Sequence, residues 1–299
     1  MSAARREPEL DPMLDAPRHL VRDAVTRALV EDLGPLGDIT AALLPVGATF
    51  TAAIVARAAG VLAGTACVDE VFAQLDSTVH IGWNGRDGVT LDAGDEIATV
   101  EGPLRSVLTG ERSALNFLCH LSGIASETAR YCAAAGSATA VCETRKTLPG
   151  LRALEKAAVR AGGGVNHRGS LSDMVLIKDN HLAGFRSLGL GIADAVARAR
   201  EMWPGRGVEV ECDRLEQVVD AVAAGADVVM LDNMTPEQAR ECVSVVRSGT
   251  RPGTILEVSG GVTLGTVGAY AATGVDLIST SAITQSAPAL DIALDARPG

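Results

Sequence analysis

Aromatic side chains are scarce in this chain. Two Trp, two Tyr and four Phe make up 3% of 299 residues. A core must therefore rest on Ala, Val, Leu and Ile. Long apolar runs are also missing. None reaches the roughly 18 residues that a membrane-spanning helix needs, so no membrane span is expected. The opening MSAARREPELDP has no apolar stretch of the kind a secretory signal carries. Residues 1–13 are charged and contain proline, and are expected to be disordered. The six cysteines (67, 119, 132, 142, 212 and 242) never fall at CxxC spacing, and no histidine lies at zinc-finger distance. They read as small buried thiols in a reducing, cytoplasmic setting. Basic charge is in short supply too. The net charge of −11 excludes the broad basic face that nucleic acid demands.

What is present points to an α/β fold. Hydrophobic residues make up 47% of the chain, enough for a substantial core. The 32 glycines suit many short strand–helix turns. Residues 14–33 carry a helical apolar pattern, with Leu14, Leu20, Val21, Val25, Leu29 and Val30 as the expected buried set. Short strand-like pieces follow at 49–57, 79–83 and 95–101, punctuated by Asn84-Gly85, Asp87-Gly88 and Ala93-Gly94. A long helical pattern runs from about 105 to 135. This half reads as an α+β domain on an antiparallel sheet, and is bounded at 14–126.

From there the pattern becomes strand-then-helix. Strands are expected at 138–144, 174–179, 207–212, 227–232, 254–259 and 275–280. Helices are expected near 149–161, 192–203, 214–224, 235–247 and 263–273. Such alternation means a parallel sheet, either a barrel or doubly wound. Each strand ends in polar residues, and six convergent polar ends fit the mouth of a βα barrel better than the edge of an open sheet. The barrel domain is bounded at 127–284. The segment 285–299 is expected to pack back on the first domain.

The charge is not evenly spread. Residues 143–181 hold seven Lys/Arg against four Asp/Glu, a local +3, so the rest of the chain carries −14. An island of this size suits a small polyanionic ligand. Arg145 and Lys146 follow a strand that Thr147-Leu148-Pro149 has already ended, so both can turn inward. Arg suits a planar carboxylate, and Lys a phosphate. Lys178 ends the apolar run Met174–Ile177, so it points into a cavity or reaches a carboxylate. Lys178 could contact an anion or form a Schiff base, as barrel aldolases do. His167-Arg168 follows Gly162-Gly163-Gly164, which reads as a flexible cap swinging the pair inward. Glu209 and Glu211 share one face of their strand, and Asp232 ends the next. Carboxylates across from a basic cluster can hold Mg²⁺ or sugar hydroxyls, although Glu209 equally suits a buried partner for a base. Ser259-Gly260-Gly261 joins a strand to a helix, where backbone N–H groups can approach a phosphate. His120, in an apolar helical stretch, reads as core or interface. Arg112 by itself reads as surface.

The motif ETRKTxPGLRxLEKxAVxxGGGxNHR followed by LIKDNH resembles the signature of the quinolinate phosphoribosyltransferase family. Further matches are EDLGPLGDIT, GVLAG, GERSALNFLCHLSGIAS, EVEC, LDN, SGGV and APALDIALD, spread from about residue 20 to 295. The resemblance implies an incomplete βα barrel with fewer than eight strands, packed with an α+β sandwich domain. It also implies a homodimer in which Arg112 crosses into the neighbouring site. The implied reaction joins quinolinate to phosphoribosyl pyrophosphate with loss of pyrophosphate and CO2, giving nicotinate mononucleotide for NAD biosynthesis. Lys146, Glu211 and Asp232 are then the catalytic residues. Arg112, Arg145, Arg168 and Lys178 hold the acid, and His167 is a further substrate-binding residue. Mg²⁺ is held mainly through substrate, with Glu211 and Asp232 as candidate ligands.

The chain departs from the family where glycine and histidine commonly serve a phosphate. Here those places are Ser281 and Gln285, and Gly169-Ser170 is also unusual. The phosphate is expected to rest on Ser259, Gly260 and Gly261, with Ser281 and Gln285 as weaker neighbours. Gln285 can donate an N–H but never carries charge. Two other functions remain open at this point. One is a Schiff-base aldolase using Lys178. The other is a non-catalytic or altered-substrate paralogue that binds a phosphoribosyl or pyridine ligand.

Overall fold

A computed structural model describes residues 14–297. The expectation of disorder at 1–13 lies outside the described residues. The chain forms two compact units. The first takes in residues 14–129, Thr147–Gly163 and 283–297, and the second Arg130–Lys146 and Gly164–Ala282.

In the first unit, α1 (Arg18–Leu33) precedes β1 (Thr49–Ala56), β2 (Gly60–Val61), α2 (Thr65–Leu75), β3 (His80–Trp83), β4 (Thr90–Leu91), β5 (Glu96–Pro103) and α3 (Leu104–Ala135). Pro17 is the extended residue at the N-cap of α1, so the helix opens after the expected residue 14. Val21, Val25 and Leu29 are buried as expected, but Leu20 and Val30 are exposed. Helix α2 is not evident from the spacing alone. Its first turn is held by Asp87, whose carboxylate accepts from the N–H groups of Gly64 (2.8 Å) and Thr65 (3.0 Å) and from the Thr65 hydroxyl (2.7 Å). One of the two Trp residues has a defined polar partner: Trp83 donates its indole N–H to Asp69 at 2.8 Å, under the Arg86 guanidinium.

Within the second unit come β6 (Ala140–Cys142), then, after α4 (Arg152–Ala161) of the first unit, β7 (Val175–Ile177), α5 (Asp179–Arg186), α6 (Ile192–Met202), β8 (Val208–Cys212), α7 (Leu215–Ala224), β9 (Val228–Asp232), α8 (Pro236–Ser248), β10 (Ile255–Ser259), α9 (Val267–Ala271) and β11 (Leu277–Ser279). All six expected strands form one parallel sheet, ordered β6-β11-β10-β9-β8-β7. The two outermost strands do not pair, so this is the incomplete barrel. The strand starts share a device. Asp227 accepts from the Val208 N–H and from Arg200, and Asp276 accepts from the Leu256 N–H and from Arg247. Each Asp ties the start of its own strand to the neighbouring strand and to the helix that precedes that neighbour.

The short α10 (Ala282–Gln285) leads to β12 (Ile292–Ala296). This last strand pairs antiparallel with β1, Ile54 opposite Leu294, and completes a sheet ordered β12-β1-β5-β3. The C-terminal segment thus lies on the first unit. Two glycines there are close-approach positions. A Cβ on Gly123 would meet the Pro288 carbonyl oxygen at 2.1 Å, and one on Gly162 would meet the Ala125 carbonyl oxygen at 2.3 Å. Gly162 is therefore a packed contact against α3, not part of a flexible cap. Both obstacles are backbone and cannot swing away. Gly162→Ala is expected to lower unfolding stability by about 2–4 kcal/mol, as overpacking does at its severe end. Urea denaturation measures this, and a loss under about 0.5 kcal/mol would contradict the contact.

Candidate active site

Residues between Thr144 and Ser279 line a cavity of about 600 Å³ in the second unit. A space of this size is ordinary for a small-molecule site. It lies at the C-terminal ends of the parallel strands, because those ends carry the polar residues. Arg145, Lys146, His167, Arg168 and Lys178 all line it. So do Glu211, Asp232, Ser259, Gly260 and Gly261. Residues separated by more than a hundred positions thus share one wall. Three other residues predicted from sequence do not line this cavity. Arg112 is exposed on α3 of the first unit, Gln285 is exposed at the end of α10, and Ser281 is half-buried after β11.

Lys178 donates to Glu211. Its nitrogen is thus engaged as a donor, whereas a Schiff-base lysine needs a free lone pair. The apolar strand β7 ends at Ile177, and Lys178 begins α5, so the chain turns there and the side chain enters the cavity. Asp232 ends β9. Burial first, and the Glu211 charge second, raise its carboxyl above the usual range, against the Asn233 amide and Lys178. Asn233 stands at φ +55, a left-handed conformation that Asn tolerates. Its side-chain amide donates to Asp232 at 2.6 Å, and its backbone N–H donates to the Ser259 carbonyl at 2.9 Å.

Ser259-Gly260-Gly261 turns sharply, with φ +93 and +62 at the two glycines. The expected direct run into a helix is corrected here: α9 starts only at Val267. Thr263 and Thr266 bond to each other instead, which makes a separate turn between. A phosphate held here would rest on the glycine backbone and not on a helix terminus.

Beside His167 lies a partner that sequence reasoning missed. Glu257, fully buried in β10, lines the cavity. The signal for it is a lone carboxylate inside Ile255-Leu256-Glu257-Val258. Glu209, fully buried in β8, is its counterpart, and the two reach His167 Nε2 at 3.3 and 3.2 Å. Glu143 accepts from the His167 backbone N–H (3.1 Å) and from Asn166 (3.0 Å), which fixes the loop carrying His167. Burial opposes a charge on the ring. The flanking carboxylates outweigh it and push His167 up to about 9. Glu209 is also raised, by burial first, with His167 opposing. One ring hydrogen lies between two carboxylates, and a charged ring is the arrangement that compensates both. Burial and the Arg145 charge lower Arg168, which Glu209 offsets.

These shifts fix a sign. A group raised on folding stabilises fully below its unfolded value and loses that contribution as pH rises through its folded one. Unfolding stability is therefore expected to decline from about pH 6.5 to about 9 through His167. His167→Gln should flatten that slope in urea titrations across this range. An unchanged slope would contradict the charged ring.

The barrel half of the chain matches the model of the quinolinate phosphoribosyl transferase C-terminal domain over residues 124–295. Residues 38–122 match that of the N-terminal domain. This chain belongs to the quinolinate phosphoribosyltransferase family. Its similarity to single members is of the same kind. It is 43% identical over 281 residues to the nicotinate-nucleotide pyrophosphorylase [carboxylating] of Mycobacterium leprae, covering 92% of this chain and 96% of that one. Its human counterpart of that name is 40% identical, over 85% of this chain and 84% of its own. Among solved structures, the nicotinate-nucleotide pyrophosphorylase of Francisella tularensis superposes with a TM-score of 0.88 at 38% identity, covering 97% of this chain and all of that one. The family places the cavity in a pentosyltransferase and gives no support to an aldolase or a non-catalytic paralogue.

Proposed function

We propose that this cavity transfers a phosphoribosyl group from phosphoribosyl pyrophosphate to quinolinate and releases CO2. The observation that carries this reading is the pairing of five basic side chains with Glu211, Asp232 and a glycine turn in one cavity. The quinolinate nitrogen bonds to the anomeric carbon, and the bond from that carbon to the pyrophosphate oxygen breaks. Positive charge develops on the ribose as pyrophosphate leaves. Lys146 stabilises the departing oxygens. Asp232 and Glu211 face the cationic ribose and hold its hydroxyls. Arg145, His167, Arg168 and Lys178 hold the two carboxylates and so aim the ring nitrogen. The carboxylate beside that nitrogen then leaves as CO2, because the pyridinium accepts the electron pair, and a proton takes its place on carbon.

The donor set suits a hard divalent ion. Asp232, raised by burial first and then by the neighbouring Glu211 charge, is a carboxylate that a cation would relieve. Glu211 is already taken by Lys178. Mg²⁺ would thus be held through pyrophosphate with Asp232 nearby, and would neutralise charge on the leaving group. No helix among the described residues is long and apolar enough to cross a membrane. Six free thiols suit a reducing cytoplasm. Equal release of CO2 and pyrophosphate with both substrates tests the reading. Binding without release would instead mark a non-catalytic chain.

We also propose a shared site in a homodimer, with Arg112 supplied by the neighbour. Arg112→Ala and Lys146→Ala should each be inactive. Mixing them should restore about a quarter of wild-type activity, since about half the dimers are hybrids with one intact site. No recovery, with subunit exchange shown by mass spectrometry, would contradict sharing.

A further inference from the structure

Two glutamates are buried completely beneath a cavity built for anions, which is a costly arrangement unless it does something. Glu209 on β8 and Glu257 on β10 flank β9, and both aim Oε2 at His167 Nε2. None of their four carboxylate oxygens has a hydrogen bond of ordinary geometry. A buried carboxylate without compensation is costly, and it is relieved either by taking up a proton or by a cation beside it. His167 and Arg168 supply two positive charges against two negative ones.

The donor count on the ring decides what state His167 must be in. A neutral imidazole has one N–H and one lone pair. With the hydrogen on Nε2, Nδ1 would offer a lone pair to an incoming carboxylate. With it on Nδ1, Nε2 would offer a lone pair to two glutamates. With both glutamates ionised, only the ring with both hydrogens serves them and an anion together. We propose that Glu209 and Glu257 are positioning residues that hold His167 as a two-hydrogen donor, so that its second N–H serves a carboxylate of the aromatic acid. The role of that acid rests on the function proposed above; the state of the ring does not. The charged groups around the ring are Glu209 and Glu257 below it, Glu143 on its backbone N–H, Arg168 beside it in sequence, and Arg145, which acts on Arg168.

The same three side chains bring ligand atoms within 4.8 Å of one another, so a metal ion is the rival occupant. That ion would use the Nε2 lone pair and would stack two further charges beside Arg168. The imidazolium leaves the four groups neutral.

The test uses the full chain and its Glu209→Gln and Glu257→Gln variants. Nitrogen NMR of ¹⁵N-histidine-labelled, ligand-free protein at about pH 7.5 should show both His167 nitrogens protonated, and a neutral ring in Glu257→Gln. In kinetics, KM for quinolinate should rise at least about 10-fold in each variant, while KM for phosphoribosyl pyrophosphate stays within about twofold. Glu257→Asp, which keeps the charge, should recover part of the loss. A neutral ring in the wild-type protein would overturn the proposal. So would stoichiometric zinc or manganese that Glu257→Gln abolishes, or equal rises in both KM values. If quinolinate is not a substrate at all, the NMR result still decides the state of the ring. The two failures are thereby distinguishable, and the wild-type spectrum needs no variant to fold.

Discussion

Gly260→Ala is expected to lower kcat/KM at least about 100-fold while leaving the protein folded. The turn after β10 has two requirements at this residue. Its φ of +93 lies where an alanine is strained. A Cβ would also stand 2.3 Å from the Asn233 side-chain oxygen and 2.9 Å from its backbone nitrogen. Asn233 has little freedom to yield, because its amide holds Asp232 and its N–H holds Ser259. The substitution therefore disturbs the glycine turn and the Asp232 carboxylate together. Strain at one such position costs roughly 1–3 kcal/mol, which moves a melting temperature by a few degrees. Catalysis should suffer more, since the proposed function puts both ends of the ribose-phosphate on these two loops. Steady-state kinetics with a thermal melt separates the effects. Wild-type kcat/KM in a folded variant would remove the turn from the site.

Asp232→Asn is expected to lower kcat by about 100- to 1,000-fold, with smaller changes in KM. The substitution keeps shape and a hydrogen-bonding group but removes the charge that, in the proposed reaction, faces the developing cation. Such a charge matters only as the bond to pyrophosphate breaks, so the loss belongs in kcat. The direction at Asp232 adds a check. Burial and Glu211 raise this carboxyl, so wild-type kcat should fall on the acid side at a pH above the ordinary carboxylate range. The variant should lack that acid limb. A large rise in KM at constant kcat would show instead that Asp232 merely binds substrate.

Much of this cavity was legible in the sequence, for a physical reason. Parallel strands buried on both faces are apolar along their length, so the first polar residue after each marks a C-terminal end. Lys178, Asp232 and Ser259 could be placed that way, and Glu211 by its place near the end of β8. What could not be read depends on register. Glu209 pairs opposite Val228 and Glu257 opposite Met230, and only this alignment brings both to His167. In sequence, each is simply a carboxylate in an apolar strand. Helix α2 was missed for a related cause, since its cap is Asp87, 22 residues from Thr65. Gly162 looked like slack in a glycine triplet, yet the Ala125 carbonyl of α3 defines it. Spacing within the chain signals secondary structure and strand ends. It does not signal which distant group comes to rest on a residue.

Choice of acid tests the central claim most directly. Quinolinate and nicotinate differ by one carboxylate, the one lost in the reaction. Four basic side chains around the acid are more than one carboxylate can use. With phosphoribosyl pyrophosphate and Mg²⁺ present, kcat/KM for quinolinate should exceed that for nicotinate by at least about 100-fold, the worth of two charge-assisted contacts left unmade. Pyrophosphate release, followed with each acid in turn, gives both values. Equal use of the two acids, or preference for nicotinate, would contradict the account.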